Sequence, residues 1–353
     1  MRKILFLCEK PSLLSKILQQ YDSNNDSFFK TRELWVCFSN PATVPVYKYP
    51  SDIKYKDYPK CSPVELKWNP GFKTFLSESY KDLPNINFII SQEDFNQSFD
   101  DLLVVQDRDH IGAYYGVSIL SFVYGSEFEN NFDTCSYFLP YHYDDLYSDL
   151  DSNLYNKKNS KELFFNLSRA GAVKQYFQFN FNFNSSIFFK EILRYLGVVS
   201  DINISKYMLF YIHLLYNKKY NEKFDIPFLD NRLLVDYLYS LGDSFSGSGK
   251  FSMDNSFSFE SLGSPATKYS IFDNLVQLGL ISTNGKFFYP TSLGFKFFSF
   301  LNNKTFDIDM PFRINGWSNK SFSGQGGIIP SIDSYLQNMF IGQKRKNNKQ
   351  LNY

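Results

Sequence analysis

Two short apolar runs, each followed by carboxylates and then by a helical pattern, constrain the fold of this chain more than any other feature. Residues 3–8 (KILFLC) precede Glu9, and residues 102–105 (LLVV) precede Asp107 and Asp109. Runs of this length and character are typical of strands buried on both faces of a parallel sheet. Two strand-to-helix units in sequence order predict an α/β domain, Rossmann-like, with a mainly parallel sheet.

The placement of the carboxylates predicts a metal site. Because parallel strands end at one edge of their sheet, Glu9, Asp107 and Asp109 can converge there. Three converging carboxylates repel one another unless a divalent cation offsets their charge, and their oxygen atoms suit Mg²⁺ better than zinc. We therefore expect Mg²⁺ as a cofactor. The alternative is structural: Glu9 caps the following helix, and Asp107 pairs with Arg108 on the surface.

The composition is that of a globular protein and leaves one question open. The chain has 353 residues, 43% of them hydrophobic and 21% charged, which suits two packed domains and argues against disorder. A net charge of +1 exerts little long-range attraction, so binding to nucleic acid would need a local basic groove. The 39 Phe and 26 Tyr residues reflect either the coding bias of an A/T-rich genome or stacking platforms for unpaired bases.

Cysteine usage and the first residues predict an intracellular protein without a membrane segment. The four cysteines are scattered and form no C-x-x-C pair, so neither a zinc ribbon nor a disulfide framework is indicated. The apolar residues 4–7 are too few for a signal peptide or a membrane span. We expect a location in the cytoplasm, nucleoid or organelle matrix, with a phage or mobile element as a possible origin.

Changes in pattern along the chain predict its domain organisation. Strand-to-helix alternation stops near residue 145, helical patterns follow, and a Ser/Gly/Phe-rich stretch interrupts them before a helix and an Asn-Gly turn. We predict an α/β domain over 1–145, a helical domain over 146–242, a linker over 243–262, a winged-helix-like continuation over 263–335 and a basic, flexible tail over 336–353.

Both carboxylate segments resemble motifs of one enzyme family. LFLCEKPS, which contains Glu9, resembles the opening of type IA topoisomerases, particularly the topoisomerase III branch, and VVQDRDHIG resembles their acidic motif, D-x-D-x-E-G. The resemblance implies that the first domain is a TOPRIM domain. It also implies that Glu9 takes part in strand cleavage and religation, while Asp107 and Asp109 associate with Mg²⁺.

Three later segments resemble the same family in the same order. NLSRAGAVKQYFQFNFN resembles its R-x-x-x-D-x-x-x-G-x-N stretch, SDINISKYML its S-x-G-R-V-Q-T-P-x-L stretch, and the segment from GSPATKYSIF to FFYPTSLG its G-R-P-S-T-Y helix and P-T-x-L-G turn. The resemblance implies contacts with nucleic acid at Lys10, Ser12, Arg169, Lys206, Thr267 and Lys268.

The nucleic acid that the family binds is DNA, and other protein subunits are expected as partners.

The chain also departs from the family pattern. Ile111 stands where the family has its third acid, and only about 40 residues separate the last two similar segments, too few for the arch that carries the family's catalytic tyrosine. Tyr289, in Tyr-Pro-Thr-Ser, is the remaining candidate nucleophile, but the Arg of the family's Y-P-R-T setting is missing.

These departures favour a degenerate topoisomerase-like protein that binds nucleic acid as a structural or accessory component of a larger assembly. One alternative is a surviving Mg²⁺-dependent activity, either strand passage with a tyrosine from another subunit or TOPRIM nuclease or primase-like chemistry. The other alternative is a scaffold that binds only proteins.

Overall fold

The chain forms two compact units. In the computed structural model the described residues are 1–9, 11, 13–14, 32–39, 46–48, 57–59, 65–67, 86–89, 91–139, 158–216, 268–284, 288–307 and 310–351. Unit 1 consists of Met1–Tyr49, Val64–Ala172 and Ser321–Gln325, and unit 2 of Pro50–Pro63, Val173–Lys320 and Gly326–Tyr353.

Unit 1 is built on a parallel sheet. Its strands are β1 (Arg2–Cys8), β2 (Arg32–Phe38), β3 (Val46–Lys48), β4 (Glu65–Lys67), β5 (Ile86–Phe88), β6 (Asp101–Val105) and β7 (Thr134–Phe138). Five of them form one sheet in the order β5-β2-β1-β6-β7, and every neighbouring pair in it is parallel. Strands β3 and β4 form a separate antiparallel pair. The predicted parallel α/β architecture is therefore confirmed for this part of the chain.

The apolar strand β1 occupies the centre of the sheet. Its residues Ile4 to Cys8 are buried, as expected for a strand covered on both faces. The chain continues outward through β2 and β5 on one side of β1 and then returns to the other side with β6 and β7. This reversal of strand order places a switch point between β1 and β6, where open α/β sheets bind ligands at the carboxyl ends of their strands.

Two helices with described bounds follow strands of this sheet. Helix α1 (His110–Tyr124) follows β6, and helix α2 (Lys158–Tyr195) begins after β7. Unit 1 extends past the boundary predicted at residue 145, because the first half of α2 packs within it. The rings of Phe164 and Tyr137 lie 5.1 Å apart, and Lys161 forms a 2.7 Å ion pair with Glu129.

Unit 2 is mostly helical, as predicted. Besides the rest of α2 it contains α3 (Lys206–Tyr216), α4 (Lys268–Gln277), the strands β8 (Ile281–Thr283) and β9 (Phe288–Pro290), α5 (Ser292–Phe300), most of α6 (Met310–Phe322), and α7 (Ile328–Gln350). Strands β8 and β9 form an antiparallel hairpin after α4. None of the helices in the described ranges is long and apolar enough to cross a membrane. The predicted linker over 243–262 lies outside the described residues.

Phenylalanine side chains fill much of both cores. Among the described residues, the largest fully buried side chains are Tyr211 and eleven phenylalanines. In unit 2, Phe340 lies 5.6 Å from Phe188 and 5.7 Å from Phe181, measured between ring centroids. Buried aromatic side chains contribute large apolar areas and favourable ring contacts. Packing therefore accounts for these phenylalanines without any role in stacking on bases.

The prediction of a flexible tail from residue 336 is wrong for residues 336–350. These residues form the second half of α7, and Leu336, Met339 and Phe340 are buried on one of its faces. Gln343 and Asn347 continue that face into the core, where Gln343 Nε2 donates to Asn347 Oδ1 at 2.8 Å. The helix was hidden in the sequence because amide side chains resemble surface residues until their hydrogen-bond partners are known.

Candidate metal centre

Three carboxylates converge at the carboxyl edge of the unit 1 sheet. Cys8 of β1 pairs with Val105 of β6, so the residues that follow the two strands leave the sheet side by side. Each of Glu9, Asp107 and Asp109 offers one oxygen, and these oxygens lie within 4.8 Å of one another. Glu9 and Asp107 are half-buried and Asp109 is exposed. The cluster can therefore hold a metal ion that remains accessible to a ligand.

Backbone hydrogen bonds hold the loop after β6 against the end of β1. The Asp107 N–H donates to Glu9 Oε2 at 3.0 Å, and the Asp109 N–H donates to the Asp107 carbonyl at 2.7 Å. The first bond fixes the Glu9 carboxylate beside the loop, and the second folds the loop into a tight turn. A carboxylate oxygen can accept more than one bond, so the hydrogen bond to Glu9 Oε2 is compatible with metal binding by the same carboxylate.

Asp109 is also the N-cap of α1. Its Oδ1 accepts hydrogen bonds from the backbone N–H groups of Ile111 at 2.8 Å and Gly112 at 2.7 Å. These bonds satisfy two of the N–H groups that a helix leaves unpaired at its start, and the negative charge suits the helix dipole. Ile111 contributes its backbone N–H to this cap.

Gly112 leaves the space that the Glu9 carboxylate occupies. A Cβ at this position would clash with Glu9 Oε2 and would lie 3.0 Å from Glu9 Cδ and 3.5 Å from Gln106 Oε1. Any larger residue at 112 would therefore have to displace Glu9 from the cluster. This close approach of helix and carboxylate explains why the acidic loop is followed by glycine.

A buried pair of polar side chains, Gln106 and Ser39, lies beside the start of the loop that follows β6. Gln106 and Ser39 are fully buried at the ends of β6 and β2, and Gln106 Nε2 lies 2.7 Å from Ser39 Oγ. The Gln106 N–H donates to the Phe138 carbonyl at 3.2 Å. Both residues directly follow an apolar strand, the position at which polar side chains reach a site in this fold, but neither was predicted as part of the site from the sequence.

Tyr115 is a further neighbour of the cluster that was not predicted from the sequence. Burial, and then the negative charges of Asp109 and Glu9, raise the pKa of Tyr115 to about 12. Tyr115 follows Gly112 by three residues, so both lie on one face of α1. The only sequence signal for it is this helical spacing. Its hydroxyl stays protonated at neutral pH and can donate a hydrogen bond near the carboxylates.

Two of the residues predicted to contact nucleic acid, Lys206 and Arg169, have described side chains, and neither is part of the carboxylate cluster. Lys206 is only 7% exposed, and its ammonium lies 4.8 Å from the centre of the Tyr207 ring and 5.6 Å from that of Phe177, so it is not presented to solvent. Arg169 is exposed and hydrogen-bonds to Asn166. Lys10, Ser12 and Thr267, and the side chain of Lys268, lie outside the described residues.

Tyr289, the candidate nucleophile, lies on the hairpin of unit 2. Its hydroxyl lies 2.9 Å from Asn284 Nδ2, and its strand partner is Ser282. The neighbouring Thr291 caps α5, because its Oγ1 accepts from the Gly294 N–H at 2.9 Å. The Tyr-Pro-Thr-Ser segment thus has a structural role at the junction of the hairpin and α5.

Substitutions of Asp109 can separate its capping role from its role as a metal ligand. Asp109→Ala removes both, and we expect it to lower the free energy of unfolding by about 1 kcal/mol. Asp109→Ser keeps a capping oxygen, so we expect nearly wild-type stability but weaker metal binding. Urea unfolding and calorimetric titration with Mg²⁺ measure the two effects. Equal metal affinities for Asp109→Ser and the wild-type protein would exclude Asp109 as a ligand.

No protein-family model, curated protein or solved structure matches this chain.

Proposed function

We propose that this chain is a divergent type IA topoisomerase-like protein that binds nucleic acid, with Mg²⁺ at Glu9, Asp107 and Asp109 in contact with a backbone phosphate. The observation that carries the proposal is the convergence of these three carboxylates at the switch point of the sheet. On this proposal unit 1 is a TOPRIM domain, and α4 with the β8–β9 hairpin is a winged-helix element. The bound nucleic acid is DNA, and the protein is an accessory component that works with other subunits.

The donor set fits Mg²⁺. All three candidate ligands are carboxylates, and Mg²⁺ is usually held by one or two carboxylates while it keeps several water molecules. The three carboxylate oxygens lie within 4.8 Å of one another, which leaves room for an ion that retains part of its water shell. When bound, Mg²⁺ supplies positive charge that attracts and orients a phosphate group.

The residues of the chain have distinct roles in this binding mode. Asp107 and Glu9, joined by the 3.0 Å hydrogen bond from the Asp107 N–H, form the half-buried side of the site. Asp109 forms the exposed side, where a phosphate can approach. The α1 N-terminus beneath it adds partial positive charge that favours an anion. We do not expect the chain alone to cleave a nucleic-acid strand, because Ile111 stands where the type IA topoisomerase motif has its third acid.

The test is DNA binding by the wild-type protein and Asp107→Asn, measured by fluorescence anisotropy with Mg²⁺ or EDTA at equal ionic strength. We expect Mg²⁺ to strengthen DNA binding by the wild-type protein relative to the variant, and Asp107→Asn to lower Mg²⁺ affinity at least tenfold, since even outer-shell changes cost about 10–100-fold. Asp133→Asn is the matched control: Asp133 is 67% exposed, pairs with Arg2 and lies beside the opposite, amino edge of the sheet.

Each outcome of this experiment has a defined meaning. The proposal fails if Mg²⁺ changes DNA binding equally in the wild-type protein and Asp107→Asn, or if the wild-type protein binds no DNA at low salt. The second result leaves the protein scaffold as the remaining function, because phosphate binding must be strong at low salt and fall steeply as salt rises.

The second candidate function is Mg²⁺-dependent chemistry on the phosphodiester backbone, either strand passage or nuclease or primase-like activity. The specific observation in its favour is that all three carboxylates are retained and converge. Relaxation of supercoiled DNA, or cleavage of single-stranded DNA, that requires Mg²⁺ and is abolished by Asp107→Asn would establish this function in place of simple binding.

A further inference from the structure

A basic groove lies in unit 2 between α7 and the turn that follows α5. Its volume is about 660 Å³, and its lining includes Lys304, Arg345, Lys346 and Lys349. No Asp or Glu occurs among the described residues that line it. With a net charge of only +1 for the whole chain, this concentration of cations is a local feature, and it is the kind of groove that binding to a polyanion requires.

Hydrogen bonds fix the wall of the groove that carries Lys304. The backbone N–H of Asn302 donates to Gln343 Oε1 at 2.7 Å, and Lys346 Nζ donates to the Leu301 carbonyl at 2.7 Å. Asn302 Oδ1 then accepts from the Lys304 N–H at 2.9 Å. The turn is thus tied to α7, which places Lys304 opposite the cations of the helix at a defined position.

Three of the four cations have no partner in the described part of the chain. Lys304, Arg345 and Lys349 are exposed, and none of their side chains makes a hydrogen bond or an ion pair with a described residue. Lys346 instead binds the Leu301 carbonyl. Cations near a helix C-terminus stabilise the helix dipole, but this effect does not explain Lys304, which belongs to a different element.

The cations of α7 follow one face of the helix. Asn338, Ile341, Arg345 and Lys349 recur at spacings of three and four residues and all line the groove. Residues four apart on a helix have Cβ atoms about 5–6 Å apart. Arg345 and Lys349 can therefore contact neighbouring charges on one extended anionic chain, and the amide of Asn338 adds a hydrogen-bond donor in line with them.

We propose that the basic groove binds the phosphate backbone of nucleic acid, independently of any metal ion. The proposal rests on the proposed function in that the ligand is nucleic acid, but it assigns a second and separate contact. A membrane surface is a poorer fit, because interfacial helices expose an apolar face. In α7 the apolar residues Leu336, Met339 and Phe340 are buried, and among the lining residues only Ile341 is both large and apolar.

The experiment is a salt titration of binding to a fluorescein-labelled oligothymidylate in EDTA. We expect the wild-type protein to bind with an affinity that falls steeply with salt. The double variant Arg345→Gln/Lys349→Gln should bind roughly 10–100-fold more weakly at about 50 mM salt, with a slope of log affinity against log salt that is about 1.4 smaller, since each phosphate contact contributes about 0.7. Both residues are exposed, so the variant should fold, and circular dichroism checks this.

The matched control is Arg194→Gln/Lys296→Gln, which removes the same charges from exposed residues of unit 2 that do not line the groove. We expect a much smaller loss, because neither residue lines the groove and salt screens exposed charges that do not contact the ligand. Equal losses in the two double variants overturn the proposal. So does an absence of oligothymidylate binding in EDTA, or groove-dependent binding to anionic phospholipid vesicles but not to the oligonucleotide.

The measurements separate this proposal from the proposed function. The basic groove is tested in EDTA, where the carboxylate cluster holds no Mg²⁺, whereas the metal centre is tested by the Mg²⁺-dependent change that Asp107→Asn removes. Loss of oligothymidylate binding in EDTA alone shows that the groove contact is missing. Loss of the Mg²⁺-dependent change alone shows that the metal contact is missing.

Discussion

Gly112→Ala is expected to lower the affinity of the carboxylate cluster for Mg²⁺ at least tenfold, without removing any charge. The added methyl group would clash with Glu9 Oε2 and lie 3.0 Å from Glu9 Cδ, so the Glu9 carboxylate must leave the position that it holds in the cluster. Even changes beyond the ligands of a metal typically cost about 10–100-fold in affinity. Displacement of a ligand should have an effect at least as large.

Calorimetric titration with Mg²⁺ measures this effect, and terbium luminescence excited through tyrosine provides an independent measurement. Gly316→Ala in α6 is the control, because a Cβ added there meets nothing within 4 Å. We expect the control to keep its metal affinity and to gain about 0.5–1 kcal/mol in stability from the higher helix propensity of alanine. Wild-type metal affinity in Gly112→Ala would show that Glu9 is not a ligand.

Gly171→Ala is expected to lower the free energy of unfolding of unit 1 by about 3 kcal/mol, at the upper end of the usual effects of overpacking. At this position α2 crosses α1 so closely that a Cβ would clash with the carbonyl oxygen of His110 and lie 2.7 Å from Tyr114 Cβ. The clash is with backbone at the start of α1, which cannot move without disturbing the Asp109 cap. The same substitution should therefore also weaken the metal site.

Urea unfolding followed by circular dichroism and by tryptophan fluorescence measures the stability of Gly171→Ala, with Gly316→Ala again as the control. Because Trp317 belongs to unit 2, the fluorescence is recorded in a Trp317→Phe background, which removes the tryptophan signal of that unit. A Gly171→Ala protein that is as stable as Gly316→Ala would contradict the close crossing of α1 and α2.

Sequence patterns predicted the elements that depend on local periodicity. The apolar runs that became β1 and β6 identified a parallel sheet, because strands buried on both faces leave an unbroken apolar signal. The helix predicted after the acidic loop is α1, which ends at Tyr124. The convergence of Glu9 and Asp107 followed from the same reasoning, since residues after neighbouring parallel strands must leave the sheet at one edge.

Contacts between distant residues were not predictable in this way. Nothing local to Gly112 indicates that Glu9 lies against it, and nothing local to Lys206 indicates that its side chain is buried beside aromatic rings. The basic groove combines Lys304 with cations about 40 positions later in the chain, and the second half of α7 depends on the partners of Gln343 and Asn347. Each of these features is created by packing between elements, which single-sequence patterns do not record.

The sequence by itself therefore determined the α/β start of the chain, two buried strands of its parallel sheet and the identity of the three carboxylates. The tertiary structure decided how those carboxylates are held, by the Asp107 N–H, the Asp109 cap and the space left at Gly112. The tertiary structure also brought Lys304 together with Arg345 and Lys349 in the basic groove. The physical reason is that periodicity encodes which face of an element is buried, whereas a site depends on which elements meet.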